Sequence, residues 1–311
     1  ISTAASLFFG DLDRTETDQA KTEQGGEMIR SLPNTRSYLL GFKLYIILYF
    51  TFLFAPLLIT CILAFNDSQF PSLPWKGFTI EWFTGNLSER VGIFHDDINL
   101  YSIWISTKVA FFVTIFSVSV GTCAAFLFEQ EDFRFKQGLY FLMLSPLVIP
   151  GVILGISVLL FSNTLGMFFE DRWGLDVGLF RPGFWLVVLG QFSFIATLVT
   201  LVVSARLKKF DRTLEEAALN LGANRFEVIW HITLKFLRPA IIGAGAVAFL
   251  MSFENFNTTL FLVGSDATLP INLYLQVRDG STPVINAISF LLIVGTSIGA
   301  LANLYFSKKE R

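Results

Sequence analysis

The chain has 311 residues, a formal net charge of −2 at pH 7, 53% hydrophobic residues and only 15% charged residues. It is far more apolar than an average soluble domain, and this composition predicts a protein that is embedded in a lipid bilayer. The near-neutral charge and the lack of an extended basic block exclude nucleic acid as a partner.

Residues 1–38 form a polar stretch that predicts a mobile N-terminal tail. The remainder, 39–311, is predicted to be one transmembrane domain, because it holds six apolar runs that are each long enough to cross the hydrocarbon once. The predicted fold class is therefore an all-α membrane protein. The six predicted spans are 42–65, 101–128, 138–162, 184–204, 240–263 and 285–306.

Lys and Arg are distributed unevenly between the predicted loops. The segments on the side of the N-terminus hold 17 basic residues, the opposite loops hold five, and Lys108 lies within the second span. Because cytoplasmic loops carry the excess of Lys and Arg, both termini and the loop 205–239 are predicted to be cytoplasmic.

Two predicted spans depart from a plain apolar helix. The third contains Pro146, Pro150 and Gly151, which allow a kink. The fifth ends in a stretch that places one carboxylate and two amides among apolar residues, and such groups are expected to face protein or water. The residues of this stretch are Phe253, Glu254, Asn255, Phe256 and Asn257.

The loop 205–239 is polar and rich in helix-forming residues, and we expect it to meet another protein. Thr213 with Glu216 has the spacing of a capping box, and Asn224 with Glu227 repeats that spacing before the next apolar run. Gly222 lies between these two start signals, where a glycine ends a helix at little conformational cost. The pattern therefore predicts two short helices joined by a sharp turn.

The same loop resembles the cytoplasmic signature of membrane subunits of binding-protein-dependent ABC importers. The match consists of Glu216-Ala217-Ala218, Gly222 six residues after Glu216, and then Ile232 and Leu234. Those subunits usually have Pro where Lys235 stands; Pro239 follows four residues later, so the second helix is expected to run longer before it breaks. Over residues 40–306 the chain looks like the spermidine/putrescine-type permeases in particular, through segments such as 146–151 and 284–289.

The resemblance implies the six-span core of a type I ABC importer permease in the bacterial inner membrane. It also implies docking of the loop 205–239 on one of two ATPase subunits, with a second permease subunit and an extracytoplasmic solute-binding protein completing the importer. The implied solute is a polyamine such as spermidine or putrescine, and the alternative is another small organic solute or ion. The implied ATPase-coupling residues are Glu215, Glu216, Ala217, Ala218, Gly222, Ile232 and Leu234, and the candidates for the translocation path are the five residues 253–257.

The motif content of the chain fits a transport subunit better than an enzyme. No Gly-x-x-x-x-Gly-Lys-Ser/Thr phosphate loop occurs in the sequence, so ATP and Mg²⁺ are expected on the partner ATPase and no cofactor on this chain. A secondary transporter commonly shows an internal repeat, and none is detected. An intramembrane enzyme would need convergent catalytic groups, yet the sequence lacks His-Glu-x-x-His and Gly-x-Ser-x-Gly motifs.

No metal site is predicted, because His95 and His231 fall on opposite sides of the membrane.

Overall fold

The computed structural model describes residues 36–71, 73–87, 90–280 and 282–309, so nearly all of the predicted tail, 1–38, lies outside the described residues. The described chain divides into two units, with the boundary between Ile59 and Thr60. The smaller unit is most of helix α1, Arg36–Leu63. The residues Tyr38–Leu63 of this helix are long and apolar enough to cross a membrane, and they contain nearly all of the first predicted span.

The larger unit contains the remaining elements, which are helical apart from one small hairpin in the described residues. Its elements are α2 (Glu81–Thr84), β1 (Asn86–Leu87), β2 (Arg90–Val91), a 3₁₀ turn (Ile93–His95), α3 (Asp97–Gln130), α4 (Lys136–Val148), α5 (Gly151–Trp173), a 3₁₀ turn (Gly178–Phe180), α6 (Phe184–Leu207), α7 (Thr213–Asn220), α8 (Arg225–Val228), a π turn (Ile229–Thr233), α9 (Leu234–Phe253), α10 (Thr259–Leu262), α11 (Leu269–Asp279) and α12 (Val284–Lys309). The strands β1 and β2 pair antiparallel.

Five helical stretches in the described part of the chain are long and apolar enough to cross a membrane. They are Tyr38–Leu63, Asp97–Gln130, Gly151–Trp173, Phe184–Leu207 and Arg225–Phe253. The sixth predicted span lies within α12, whose apolar stretch among the described side chains is Val284–Gly299. The chain is therefore an all-α membrane protein with the span order of the predicted six-span core.

Helices α3, α6 and α9 form the packed core of the larger unit. Val109 and Val113 of α3, Val199 of α6 and Leu237 of α9 are fully buried in one apolar cluster. Lipid tails are as apolar as these side chains, so close packing rather than a hydrophobic force between helices holds such a core together. This three-helix core carries the two sites described below.

The segment between α1 and α3 includes the small hairpin. Its central side chain is Trp82, which is 3% exposed and donates an indole hydrogen bond to the Asn66 carbonyl oxygen at 2.8 Å. Arg90 is paired with Glu81 at 2.6 Å and with Asp67 at 2.7 Å. Hydrogen bonds to the Glu81 and Asp67 carboxylates raise the pKa of the Arg90 guanidinium.

The third predicted span, 138–162, is corrected to two helices. The chain between α4 and α5 passes through Ile149, which is extended with φ −72° and ψ 129°, and through Pro150. The residue before a proline is disfavoured in the helical region, and Pro150 has no N–H with which to continue α4. The break therefore falls here, while Pro146 remains inside α4. The helix that is long enough to cross is α5.

The fifth predicted span, 240–263, is also corrected. A continuous helix runs from Arg225 to Phe253, and the chain then breaks before α10 begins. Pro239 lies inside this helix, so the expected break at the proline does not occur. A proline is tolerated within a membrane helix where other groups can satisfy the carbonyl group that it leaves without a helical partner, here that of Lys235, which is an exposed residue.

Candidate coupling surface and translocation path

A glycine turn joins α7 to α8. Gly222 has φ 93°, a left-handed conformation that side chains with a Cβ rarely adopt. The N–H of Gly222 donates to the Leu219 carbonyl oxygen at 3.0 Å, and the N–H of Ala223 donates to the Ala218 carbonyl oxygen at 3.1 Å. These two bonds form a Schellman motif, which satisfies the free carbonyls at the end of α7. The two short helices and the turn between them agree with the sequence prediction.

The two helix starts differ in how they are capped. At α8 the predicted capping box is present, since the Asn224 side chain accepts from the Glu227 N–H at 2.8 Å and the Glu227 carboxylate accepts from the Asn224 N–H at 2.9 Å. At α7 the predicted box of Thr213 and Glu216 is wrong. Thr213 is already the first helical residue, and Asp211 accepts its N–H at 3.0 Å instead. Hydrogen bonds from the Thr213 side chain and backbone lower the pKa of the Asp211 carboxyl.

The seven residues predicted to couple to the ATPase differ in exposure. Glu216, Ala217 and Gly222 are exposed, whereas Glu215, Ala218, Ile232 and Leu234 are half-buried. Glu215 accepts a hydrogen bond from the hydroxyl group of Thr233, which is fully buried in the π turn. This bond attaches α7 to the long helix Arg225–Phe253.

Exposed apolar side chains flank the glycine turn in the sequence. Leu214 is 52% exposed, Leu221 90%, Phe226 73% and Trp230 60%, and the last two rings stack with centroids 6.1 Å apart. We call these four side chains and Glu216 the coupling surface. An exposed apolar patch of this kind marks an interaction site on a protein surface. Its chemistry suits a partner groove with apolar walls and one basic group.

The residues just before α7 are hydrogen-bonded and ion-paired to the end of α3. Arg212 donates from Nη2 to the Glu129 carbonyl oxygen at 2.6 Å, and the Lys208 ammonium lies 3.5 Å from the Glu129 carboxylate. A cavity of about 200 Å³ lies between these groups. Helix α7 is therefore attached to two spans, to α3 through Arg212 and to the long helix Arg225–Phe253 through Glu215.

The second candidate site is the broken segment 254–258, which follows α9. Glu254 and Asn257 are exposed in the isolated chain. Phe253 packs against an apolar cluster, and the ring of Phe256 lies 5.1 Å from that of Tyr274. The structure corrects the sequence analysis on one point, since Glu254 is not in the interior of a helical span but at the C-terminal end of α9. The broken segment therefore carries one exposed carboxylate, Glu254, and one ring, Phe256, that is paired with Tyr274.

A buried polar network lies behind the broken segment, and the sequence analysis missed its central residue. Gln191 of α6 is fully buried and donates from Nε2 to the Thr259 hydroxyl at 2.7 Å, while its Oε1 accepts from the Ser252 hydroxyl. The Asn255 side chain accepts from the Thr259 hydroxyl at 3.0 Å. Asn255 is thus a structural partner in this network. The only sequence signal for Gln191 is an amide in the middle of an apolar run.

Three comparisons place the chain among known proteins. A profile described as "Binding-protein-dependent transport system inner membrane component" matches residues 117–311. The chain is 33% identical over 269 residues to the putrescine transport system permease protein PotI of Escherichia coli, covering 86% of this chain and 90% of that protein. It is 26% identical over 255 residues to the spermidine/putrescine transport system permease protein PotC of Escherichia coli, covering 82% and 89%.

Two further similarities are to a permease named for a different solute and to a solved structure of low sequence identity. The molybdenum transport system permease protein ModB of Mycobacterium bovis is 31% identical over 210 residues, covering 64% of this chain and 76% of that protein. A chain of a crystal structure of a bacterial ABC transporter involved in the import of the acidic polysaccharide alginate matches with a TM-score of 0.57 at 13% identity, covering 90% of this chain and 98% of that chain. This last similarity establishes the fold alone.

Permeases of this family are multi-pass inner-membrane proteins that work with an ATPase and a solute-binding protein. The profile covers more than half of the chain, and PotI matches along nearly its full length. The chain therefore belongs to the family of inner-membrane permease components of binding-protein-dependent ABC importers.

Proposed function

We propose that this chain forms, with a second and different permease subunit, the translocation path of a polyamine importer. The similarity to PotI and PotC along most of the chain carries this proposal. The complete importer has two ATPase subunits, which hold ATP and Mg²⁺, and a solute-binding protein that delivers the solute from outside. This chain has no enzymatic role of its own.

The orientation follows from the basic residues. The 17-to-five distribution of Lys and Arg favours a cytoplasmic position for both termini and for the loop 205–239 in the bacterial inner membrane. In this orientation the coupling surface faces the ATPase, and the segment between α1 and α3 faces the solute-binding protein.

The coupling surface transmits the ATPase cycle to the spans. ATP-driven closure of the two ATPase subunits pushes the coupling surface, with Leu221 and Phe226 seated in an apolar groove and Glu216 meeting a basic group. The hydrogen bond of Glu215 to Thr233 and that of Arg212 to Glu129 pass the motion to two spans. Rigid-body movement of the spans then exchanges outward for inward access, biased by the bound nucleotide.

The broken segment 254–258 forms part of the solute path. The Glu254 carboxylate supplies a counter-charge to a passing ammonium group, and the face of the Phe256 ring adds a cation–π contact. An exposed carboxylate at membrane depth is costly in lipid, which favours a wet path or a partner subunit as its surroundings. The competing role for Glu254 is a hydrogen bond to the second permease subunit.

Glu254→Gln separates these two roles, because the amide keeps most of the hydrogen-bonding shape and removes the charge. If the carboxylate serves as a counter-charge, uptake of labelled putrescine in proteoliposomes falls about tenfold or more, while assembly and basal ATPase activity persist. Asn257→Asp, which adds a charge at the other exposed position, is the matched variant and should not reduce uptake. Parental uptake by a correctly assembled Glu254→Gln importer rejects the counter-charge role.

The similarity to ModB supports a second candidate, an importer of a molybdenum-containing solute. An oxyanion such as molybdate would be repelled by the Glu254 carboxylate, and for this reason the cation is favoured. Competition decides between the two, because excess unlabelled spermidine, but not molybdate, should block putrescine uptake. The opposite result, or no putrescine uptake at all by the parental importer, contradicts the proposed polyamine substrate.

A further inference from the structure

The broken segment 254–258 is held from behind by two helices, α5 and α6. We infer that Gln191 is the positioning residue that holds this segment in its non-helical form and thereby sets where Glu254 lies. The inference deepens the proposed function and rests on it, because the purpose of the fixed position is contact between Glu254 and a cationic solute. Gln191 itself does not touch the solute.

Hydrogen bonds from Gln191 reach both ends of the break. Its Oε1 accepts from Ser252, in the last turn of α9, and its Nε2 donates to Thr259, the first residue of α10. Asn255, inside the break, accepts from both the N–H and the hydroxyl group of Thr259, at 3.3 and 3.0 Å. One amide on α6 therefore fixes the distance between the end of one helix and the start of the next.

Small residues let the segment approach closely from the other side. A Cβ atom at Gly155 of α5 would lie 2.7 Å from the Thr258 carbonyl oxygen and 3.3 Å from the Thr258 Cα atom. A Cβ atom at Gly151 would lie 3.1 Å from the Asn257 Cβ atom. On α6, a Cβ atom at Gly190 would collide with the Leu262 side chain. The two glycines of α5 thus let the segment lie close to that helix, and Gly190 leaves room beside Gln191 on α6 for the side chains of Leu262 and Thr258.

The burial of Gln191 explains why the arrangement is rigid. The side chain is 0% exposed, and both ends of the amide have a partner. If the segment moved or became helical, these polar groups would lose their partners in an environment without water. The network therefore favours one position of the segment, with Glu254 directed away from the core and exposed.

Gln191→Leu tests the inference, because it removes both hydrogen bonds at similar volume. In the reconstituted importer we expect KM for putrescine uptake to rise about tenfold, with kcat and basal ATPase activity close to parental values. Thr259→Val is a second variant that breaks the same network and should shift KM in the same direction. Thr200→Val is the matched control, since Thr200 is also buried on α6 but its hydroxyl group donates within its own helix, to the Ala196 carbonyl oxygen at 2.8 Å.

A labelling measurement reports the position of residue 254 without transport. In a background without the two native cysteines, Glu254→Cys is treated with a water-soluble thiol reagent, with and without Gln191→Leu or Thr259→Val. We expect at least a threefold change in labelling rate for both variants and none for Thr200→Val. If neither Gln191→Leu nor Thr259→Val changes the labelling rate of Glu254→Cys, the positioning role is overturned.

The two readouts keep this inference distinct from the proposed function. If Gln191 acts through Glu254, then Gln191→Leu adds no further rise in KM when Glu254→Gln is already present. An additive rise overturns action through Glu254. A change in labelling, combined with parental uptake by Glu254→Gln, supports the positioning role and rejects the counter-charge function.

Discussion

The turn at Gly222 gives the sharpest test of coupling, because its conformation excludes most side chains. The substitution Gly222→Val places a β-branched residue at φ 93°. A Cβ atom at this position would meet nothing within 4 Å, so the penalty comes from the backbone conformation and not from a collision with neighbours. A non-glycine residue held in the left-handed region costs about 1–2 kcal/mol.

That penalty sets the expected size of the effect. An energy of about 1–2 kcal/mol lowers the population of the native turn relative to a relaxed turn by a factor of roughly 5–30. A relaxed turn loses the hydrogen bonds from Gly222 to Leu219 and from Ala223 to Ala218, and it displaces Leu221 on the coupling surface. We expect the amount of solute transported per ATP hydrolysed to fall at least fivefold, with the protein still in the membrane.

The assay compares solute uptake and solute-stimulated ATPase activity in proteoliposomes that contain the complete importer. Gly222→Asn should retain most coupling, because Asn tolerates the left-handed region. Gly138→Val is the matched control, since Gly138 also has open space around it but lies within helix α4. The reasoning is refuted if Gly222→Val shows the parental ratio of uptake to ATPase activity.

Two further predictions concern orientation and stability. In a background without native cysteines, Lys209→Cys should resist a membrane-impermeant thiol reagent in intact cells and Lys76→Cys should react; labelling of the Lys209 site from outside would reverse the proposed orientation. Trp82→Phe removes the buried hydrogen bond to the Asn66 carbonyl oxygen and should cost about 1–3 kcal/mol, seen as a lower thermal unfolding midpoint in detergent. Trp75→Phe is its control, because Trp75 is 46% exposed, and equal midpoints for the two variants would contradict the stabilising role.

Features with a local cause could be predicted from the sequence. Gly222 ends α7 and the Asn224–Glu227 pair starts α8 because the atoms concerned lie within a few residues of one another. The prediction at Thr213 failed because Thr213 is the first helical residue, and the carboxylate of Asp211, two positions upstream, accepts its N–H. Thr213 and Asp211 both lie at the start of α7. Only the folded backbone decided that Asp211 accepts the hydrogen bond there.

By itself, the sequence determined the membrane location, the order of the spans and the place of the turn at Gly222, since these follow from apolar length and from short-range hydrogen bonding. The tertiary structure alone decided that the helix of the fifth span ends at Phe253 and that Gln191 bonds to both sides of the break that follows. The bond from Gln191 to Thr259 joins residues 68 positions apart. A polar side chain in an apolar run carries no local sign of its partner, which becomes defined only when α6 and the broken segment pack together.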